Sequence, residues 1–262
     1  MNYKTVEFGN LLYFVFVVLG FGILFALFFL LRKKSYKTQF YSILGILFFN
    51  LVLHFTAAFY VPGAGLERMF MDTLCGVTVV SAPFIYMTKN RFFMTGLTYM
   101  GIISGLVVLF VPGEAIGKDV FQNIDVWRFY IQHYIVWITP ILMMAFGHFR
   151  PHWKDIFIVP LYVFFMLCFV LCNLVFMQHT GFVADMTTFN RAFIWRFNDD
   201  AFKVLFEWTV PNFLKTTSPT GYIPVVYLIP GICLYFPILS GIIYGCYKGL
   251  RRFFVHEHHS VR

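Results

Sequence analysis

Three side chains able to do chemistry share one expected depth in a chain that is otherwise mostly apolar: His54, Cys75 and His133. His133 lies in Phe129-Tyr130-Ile131-Gln132-His133-Tyr134, where a lipid-facing ring would be more stable as leucine. An intramembrane histidine is therefore read first as lining a protein cavity. Counted from the outer ends of their helices at roughly 1.5 Å per residue, the three groups reach a common depth near ~10 Å. Asn50 falls below that layer and Asn173 above it. Asp72 is expected one turn above Cys75 on the same face, and Arg128 and Gln132 flank His133 along its own helix.

A thiol attacks a carbonyl as thiolate, so a buried cysteine is inert unless a base or a positive charge is near. His133 is placed to be that base. The pair would form a thioester, splitting an ester-to-ester exchange into two acyl transfers, while Asn173 or Gln132 stabilises the oxyanion or orients the imidazole. A site inside the outer leaflet suits an acyl chain, because the lipid need not leave the bilayer and scarce water disfavours hydrolysis. Each residue also has a plainer role: cysteine as a small packing group, histidine as a partner to a neighbouring helix. A metal site at His54, Cys75 and His133 lacks any diagnostic ligand spacing. Neither a Walker loop nor a dinucleotide glycine pattern is present, so no cofactor and no metal are expected.

The elements that must position these groups are helices. The 262 residues are 60% hydrophobic and 12% charged, with 36 Phe, which is the composition of a polytopic membrane protein. Apolar runs at about 9–31, 40–61, 69–87, 92–111, 126–146, 156–177 and 222–247 are each long enough to cross roughly 30 Å of hydrocarbon. The expected fold is all-α, a single domain over 1–262 forming a seven-transmembrane-helix bundle. Arg32, Lys33, Lys34, Lys37, Lys89, Arg91, Arg150, Lys154, Lys248, Arg251 and Arg252 then collect on one side. By the bias of basic residues toward the cytoplasm, the amino terminus is outside and the carboxyl terminus inside. The net charge of +8 thus reflects topology and contact with anionic headgroups, with no nucleic-acid partner implied.

Between the sixth and seventh runs, Ile194, Phe197, Ala201, Leu205 and Trp208 recur at helical spacing opposite Arg196, Asp199, Asp200, Lys203 and Glu207. This pattern predicts an amphipathic interfacial helix over about 190–208, either roofing the site or resting on the membrane as a connector. The five cysteines, Cys75, Cys168, Cys172, Cys233 and Cys246, all fall in apolar runs and offer no extracellular disulfide framework.

The string Phe129 to Tyr134, followed by Pro140-Ile141-Leu142, resembles the YwaF-like integral membrane family and its animal relatives, the transmembrane acyltransferases that make ether phospholipids. Leu74-Cys75 is similar to the family's cysteine position, and Cys172-Asn173-Leu174 to the Asn-containing end of its sixth helix. Bacterial members often carry a His two residues before the cysteine and an Asp directly after it, where this chain has Thr73 and Gly76. The resemblance implies a seven-helix bundle with cysteine-dependent acyl transfer onto lysophospholipids, Cys75 and His133 being the matching positions.

The expected function is accordingly a cell-membrane lipid acyltransferase. In it Cys75 accepts the acyl group, His133 is base and then acid, and His54, Asn173, Gln132, Asp72, Arg128 and Asn50 bind substrate or support the cavity. Its partners are membrane phospholipids and lysophospholipids. The alternative is a seven-helix receptor or small-solute transporter whose polar layer binds without chemistry. Against it, the loop after the fourth run has no cysteine to pair with the third helix, and repeat symmetry is not detectable.

Overall fold

The computed structural model of the protein describes residues 4–60, 66–112, 115–185, 194–196, 203–204, 206–215 and 221–255. Within them lie seven long helices: α1 Leu11–Leu31, α2 Tyr36–Tyr60, α3 Leu74–Thr88, α4 Arg91–Phe110, α5 Ile124–Ala145, α6 Asp155–His179 and α7 Ile229–Val255. No β-strand occurs among the described residues. Only isolated bridges do, such as Val6 with Ile116 and Lys215 with Tyr222.

Helix starts follow local chemistry. Asn10 accepts the Tyr13 amide at 2.9 Å, and Asn123 accepts that of Asp125 at 3.0 Å. Each oxygen satisfies an amide that a helix start leaves unpaired. The third element departs from its predicted start at 69. Leu66–Met69 is a short 3-10 turn, and Thr73, extended at ψ 158°, caps α3 by accepting the Gly76 amide at 2.9 Å. The last helix begins at Ile229 rather than 222, because Pro224 has no amide hydrogen and holds its predecessor out of helical conformation. Of the amphipathic helix predicted over 190–208, residues 190–193, 197–202 and 205 lie outside the described ones. Ile194 and Trp195 are buried, and Glu207–Thr209 forms a 3-10 turn.

Successive helices alternate in direction, as contacts at both ends show. At one end Phe28 stacks on Phe146 with centroids 5.8 Å apart, Lys89 donates to the Tyr36 hydroxyl at 3.1 Å, and Arg91 pairs with Asp155 at 2.6 Å. At the other, the Gly117 amide donates to the Val6 carbonyl at 2.9 Å and Phe70 meets Phe182 at 4.8 Å. Five helical stretches are long and apolar enough to cross a membrane: Leu11–Leu31, Tyr36–Phe59, Arg91–Phe110, Asp155–His179 and Val226–Arg251. The other two differ from the seven equal runs predicted. With 15 residues, α3 reaches about 22 Å at roughly 1.5 Å per residue, short of roughly 30 Å of hydrocarbon. In α5, Asp125, Arg128, Gln132 and His133 together make the helix less apolar than those five. Around the bundle, Phe14, Phe25, Phe29, Phe48, Phe157 and Phe165 are exposed, an apolar surface suited to lipid and not to water.

Two cores fill the interior, one joining α1 to α5 and one joining α4, α6 and the segment entering α7. The α4–α5 seam depends on small residues. A Cβ on Gly101 would lie 2.6 Å from the Val136 carbonyl oxygen, and one on Gly105 would lie 2.6 Å from Trp137 Cβ. Glycines one turn apart let two backbones approach this closely. Gly101→Ala is therefore expected to cost about 1–3 kcal/mol through overpacking. Gly45→Ala on α2, with nothing within 4 Å of the new Cβ, is expected to gain about 0.5–1 kcal/mol from helix propensity. Thermal unfolding in detergent compares the two.

His148, between α5 and α6, stacks on Tyr36 at 4.3 Å and has Nδ1 3.0 Å from the Tyr86 hydroxyl. Burial first, then the Lys89 charge, pull its pKa from 6.5 down to about 4. The unfolded ring takes up its proton near pH 6.5 and the folded ring only near pH 4. The contribution of the neutral ring is thus whole above the upper value and is lost as pH falls to the lower one. A melting temperature that declines across that window in the wild type, and declines less in His148→Phe, is the expected result.

Candidate functional site: a polar layer between α2, α3 and α5

Asn50 and His54 are one turn apart on α2 and face the same way. They are buried, with 2% and 9% of their surface exposed. Asp125, Arg128 and Gln132, spaced by three and four, form a second face on α5. Arg128 Nε donates to Asp125 Oδ1 at 2.7 Å, its Nη2 is 2.5 Å from the same oxygen, and Lys118 Nζ is 3.5 Å from Oδ2. Another guanidinium nitrogen, Nη1, donates to Gln132 Oε1. Asn50 Nδ2 donates across the helix interface to the Gln132 backbone carbonyl at 3.4 Å. These bonds fix both amides, since guanidinium only donates and a carbonyl only accepts.

What is left over defines the site. Asn50 Oδ1, His54 Nε2 and Gln132 Nε2 are buried without a hydrogen-bond partner. Each such atom costs about 1–3 kcal/mol of stability while it stays unpaired. His54 donates to the Met69 backbone and lies close enough to Arg128 for the two charges to interact. Its ring also packs on the first turn of α3. A Cβ on Gly76 would sit 3.6 Å from His54 Cε1, an ordinary contact distance that puts the imidazole against the residue after Cys75.

Cys75 is the second residue of α3 and is half-buried. A helix starting at 69 would hold it well inside; the Thr73 cap puts it at the helix start instead. Asp72, expected on the same helical face, precedes the cap and is buried in the entering turn. Cys75 shares its face with Val79, Ala82 and Tyr86, and the latter two belong to one core with Tyr130, Tyr134 and Ile138 of α5. At Ala82 and Tyr86 this face thus enters a core that α3 shares with α2, α4 and α5.

On α5, His133 is half-buried. Its Nδ1 is 2.7 Å from the Phe129 carbonyl oxygen, and its ring is 4.4 Å from that of Phe129. A carbonyl cannot donate, so Nδ1 carries the hydrogen and the neutral ring keeps its lone pair on Nε2. That tautomer is the one a base requires. Asn173 stands apart on α6, donating to Met177 Sδ at 3.6 Å, and α6 packs on α3, α4 and α7.

Sequence reasoning misses Asp125 and Lys118, which hold Arg128 in place. The three-residue spacing of Asp125 and Arg128 is the signal that could have found the pair. A cavity of about 420 Å³ opens between α3, α4 and α6, lined by Met71, Val77, Phe84, Phe93, Tyr162 and Phe169 among others. Val77 and Phe84 point away from Cys75, so this cavity is separate from the polar layer. Among the described residues no group of three or more His, Cys, Asp or Glu is placed to hold a metal ion.

No curated protein and no solved structure matches the chain. A match to the TMEM164 family runs over residues 5–208 of the 262. The chain therefore belongs to the TMEM164 family, and with its apolar helices it is an integral membrane protein.

Proposed function

We propose that the protein is a phospholipid–lysophospholipid acyltransferase of the cell membrane, with all seven helices spanning, the amino terminus outside and the carboxyl terminus cytoplasmic. The observation that carries this reading is the meeting of three features. Cys75 lies in the first turn of α3. A second imidazole, His54, sits against the next residue. His133 on α5 is held in the tautomer that leaves Nε2 basic. The likeness of Phe129 to Tyr134 and of Leu74-Cys75 to the YwaF-like proteins and their animal relatives supports the same chemistry, and the basic residues at one end of the bundle support the orientation. Non-helical backbone from Phe70 to Thr73 is tolerated at membrane depth because protein surrounds it: Asp72 is buried, and Phe70 and Met71 pack on the second core.

The reaction runs in two balanced steps. His133 Nε2 takes the thiol proton as sulfur attacks the donor ester carbonyl; the C–O bond breaks and the departing lysolipid alkoxide receives that proton. An acyl thioester is left on Cys75. A second lysophospholipid hydroxyl then attacks the thioester while His133 takes its proton. The C–S bond breaks, and the proton returns to sulfur. The positive end of the α3 dipole stabilises the negative charge that develops at its first turn. Gln132, Asn50 and His54 line the polar side of the site, Arg128 holds Gln132 in place, and Asp72 supports the turn. Asn173, already donating to Met177, acts at most from the rim.

Purified protein incubated with phospholipid is expected to gain a hydroxylamine-sensitive acyl mass that Cys75→Ser lacks. An adduct unaltered by that substitution would remove Cys75 from the mechanism. Neither adduct nor product with wild type would favour a binding or transport role for the polar layer.

A further inference from the structure

The three unpartnered atoms of the polar layer specify the kind of group that suits them. Gln132 Nε2 can only donate, and Arg128 on Gln132 Oε1 prevents the amide from turning over. Asn50 Oδ1 can only accept, and the bond from Nδ2 to the Gln132 carbonyl holds that amide too. His54 donates through its other nitrogen to the Met69 backbone, so its unpartnered Nε2 is an acceptor in the neutral ring. That nitrogen adjoins Cε1, the carbon packed against the first turn of α3, on the Cys75 side.

The layer thus offers one donor and two acceptors, and the charge nearest to them, Arg128, is already paired with Asp125. A carboxylate would meet two acceptors. An ammonium would meet the Gln132 donor and lie near the guanidinium. A neutral hydroxyl accepts from Gln132 and donates its one hydrogen to Asn50 or His54, pairing two of the three atoms without adding charge. All three side chains are at least nine-tenths buried, so bulk water does not serve them.

We infer that Asn50, His54 and Gln132 form a hydroxyl-binding site that takes the free glycerol hydroxyl of the acceptor lipid and holds it beside the first turn of α3. The inference rests on the acyl-transfer reading for its choice of a lipid alcohol. The three residues are then what distinguishes an acceptor from an intact phospholipid, which has no free hydroxyl to offer. They are positioning residues for the second step and need not touch the sulfur.

The test measures binding without turnover. Full-length wild type in detergent, with no acyl donor, is titrated with a lysophospholipid and with its deoxy counterpart, identical in headgroup and chain but lacking the glycerol hydroxyl. Tighter binding of the hydroxyl form by about tenfold or more is expected, because a site built to hydrogen-bond a hydroxyl rejects the analogue without one. Asn50→Leu and Gln132→Leu should each move the ratio toward one. Both are compared with wild type at matched folded protein, because Asn50→Leu also removes the donor to the Gln132 carbonyl and Gln132→Leu the acceptor of Arg128 Nη1. Equal affinity of wild type for the two lipids would overturn the inference and leave the layer as a seat for water alone. A preference kept intact in both variants would overturn it as well. A hydroxyl preference without any acyl adduct on Cys75 would end the acyltransferase reading and keep the site; an adduct without the preference would end this inference alone.

Discussion

Alanine in place of His133 is expected to slow acyl transfer by about 10²–10⁴, the usual contribution of a positioned general base. The expectation follows from the way the ring is held. Its Nδ1 is engaged by the carbonyl one turn earlier, Phe129, and the Phe129 ring closes on one side of it. The imidazole is thereby held in orientation and in tautomer before any substrate arrives. In the proposed mechanism its removal leaves Cys75 without a base. The fold should tolerate the change, because the bond lost is local to one turn of α5 and the ring is only half-buried. Initial rates of lysolipid acylation, compared at matched folded protein, give the measurement. Added imidazole should restore part of the rate in His133→Ala and none in Cys75→Ser. A variant as fast as wild type would remove His133 from the chemistry.

The second large effect is on stability. Asp125 is 4% exposed and sits opposite a guanidinium that is itself 10% exposed, with Lys118 at a longer 3.5 Å. Arg128→Met takes away the closer of two cations and leaves the buried carboxylate with Lys118 at 3.5 Å. Breaking a buried pair from one side typically costs about 3–5 kcal/mol, more than the pair itself contributes, because the remaining charge stays desolvated. The double replacement Asp125→Leu with Arg128→Met removes that stranded charge and is expected to recover most of the loss, a strongly non-additive pair. Urea or thermal unfolding of the four proteins of the cycle in detergent decides it. Additive losses would mean that water reaches Asp125 freely. The same substitution frees Gln132 Oε1 from its donor, so the hydroxyl site should loosen along with the fold.

Much of the architecture is readable from composition and periodicity, because the bilayer imposes a simple rule: a helix in lipid must be apolar for about 20 residues. Helices α1, α4 and α6 obey it and lie within two residues of their predicted ranges at each end. The basic clusters after α1, around the α3–α4 turn and before α6 arise from a similarly simple bias. For α5, Arg128 and Gln132 stand out in the sequence as polar groups one turn apart, and Asp125 joins them only in the structure.

The start of α3 is not legible in this way. Met69, Phe70 and Met71 are as apolar as the helix beyond Thr73, and a threonine hydroxyl capping an amide three residues on is a local geometric event that hydropathy does not register. That cap moves Cys75 from mid-helix to the helix start and takes Asp72 off its face.

From the sequence alone came an all-helical membrane protein and the residue types able to do chemistry, since both depend on local composition and on periods of a few residues. Only the tertiary structure brought His54 against Gly76, tied Asn50 to Gln132, and left three polar atoms of one layer buried and unpaired. Those contacts join residues far apart in the chain, or depend on side-chain orientation within a shared face. They are set by how three helices fill space together, and no single helix carries that information.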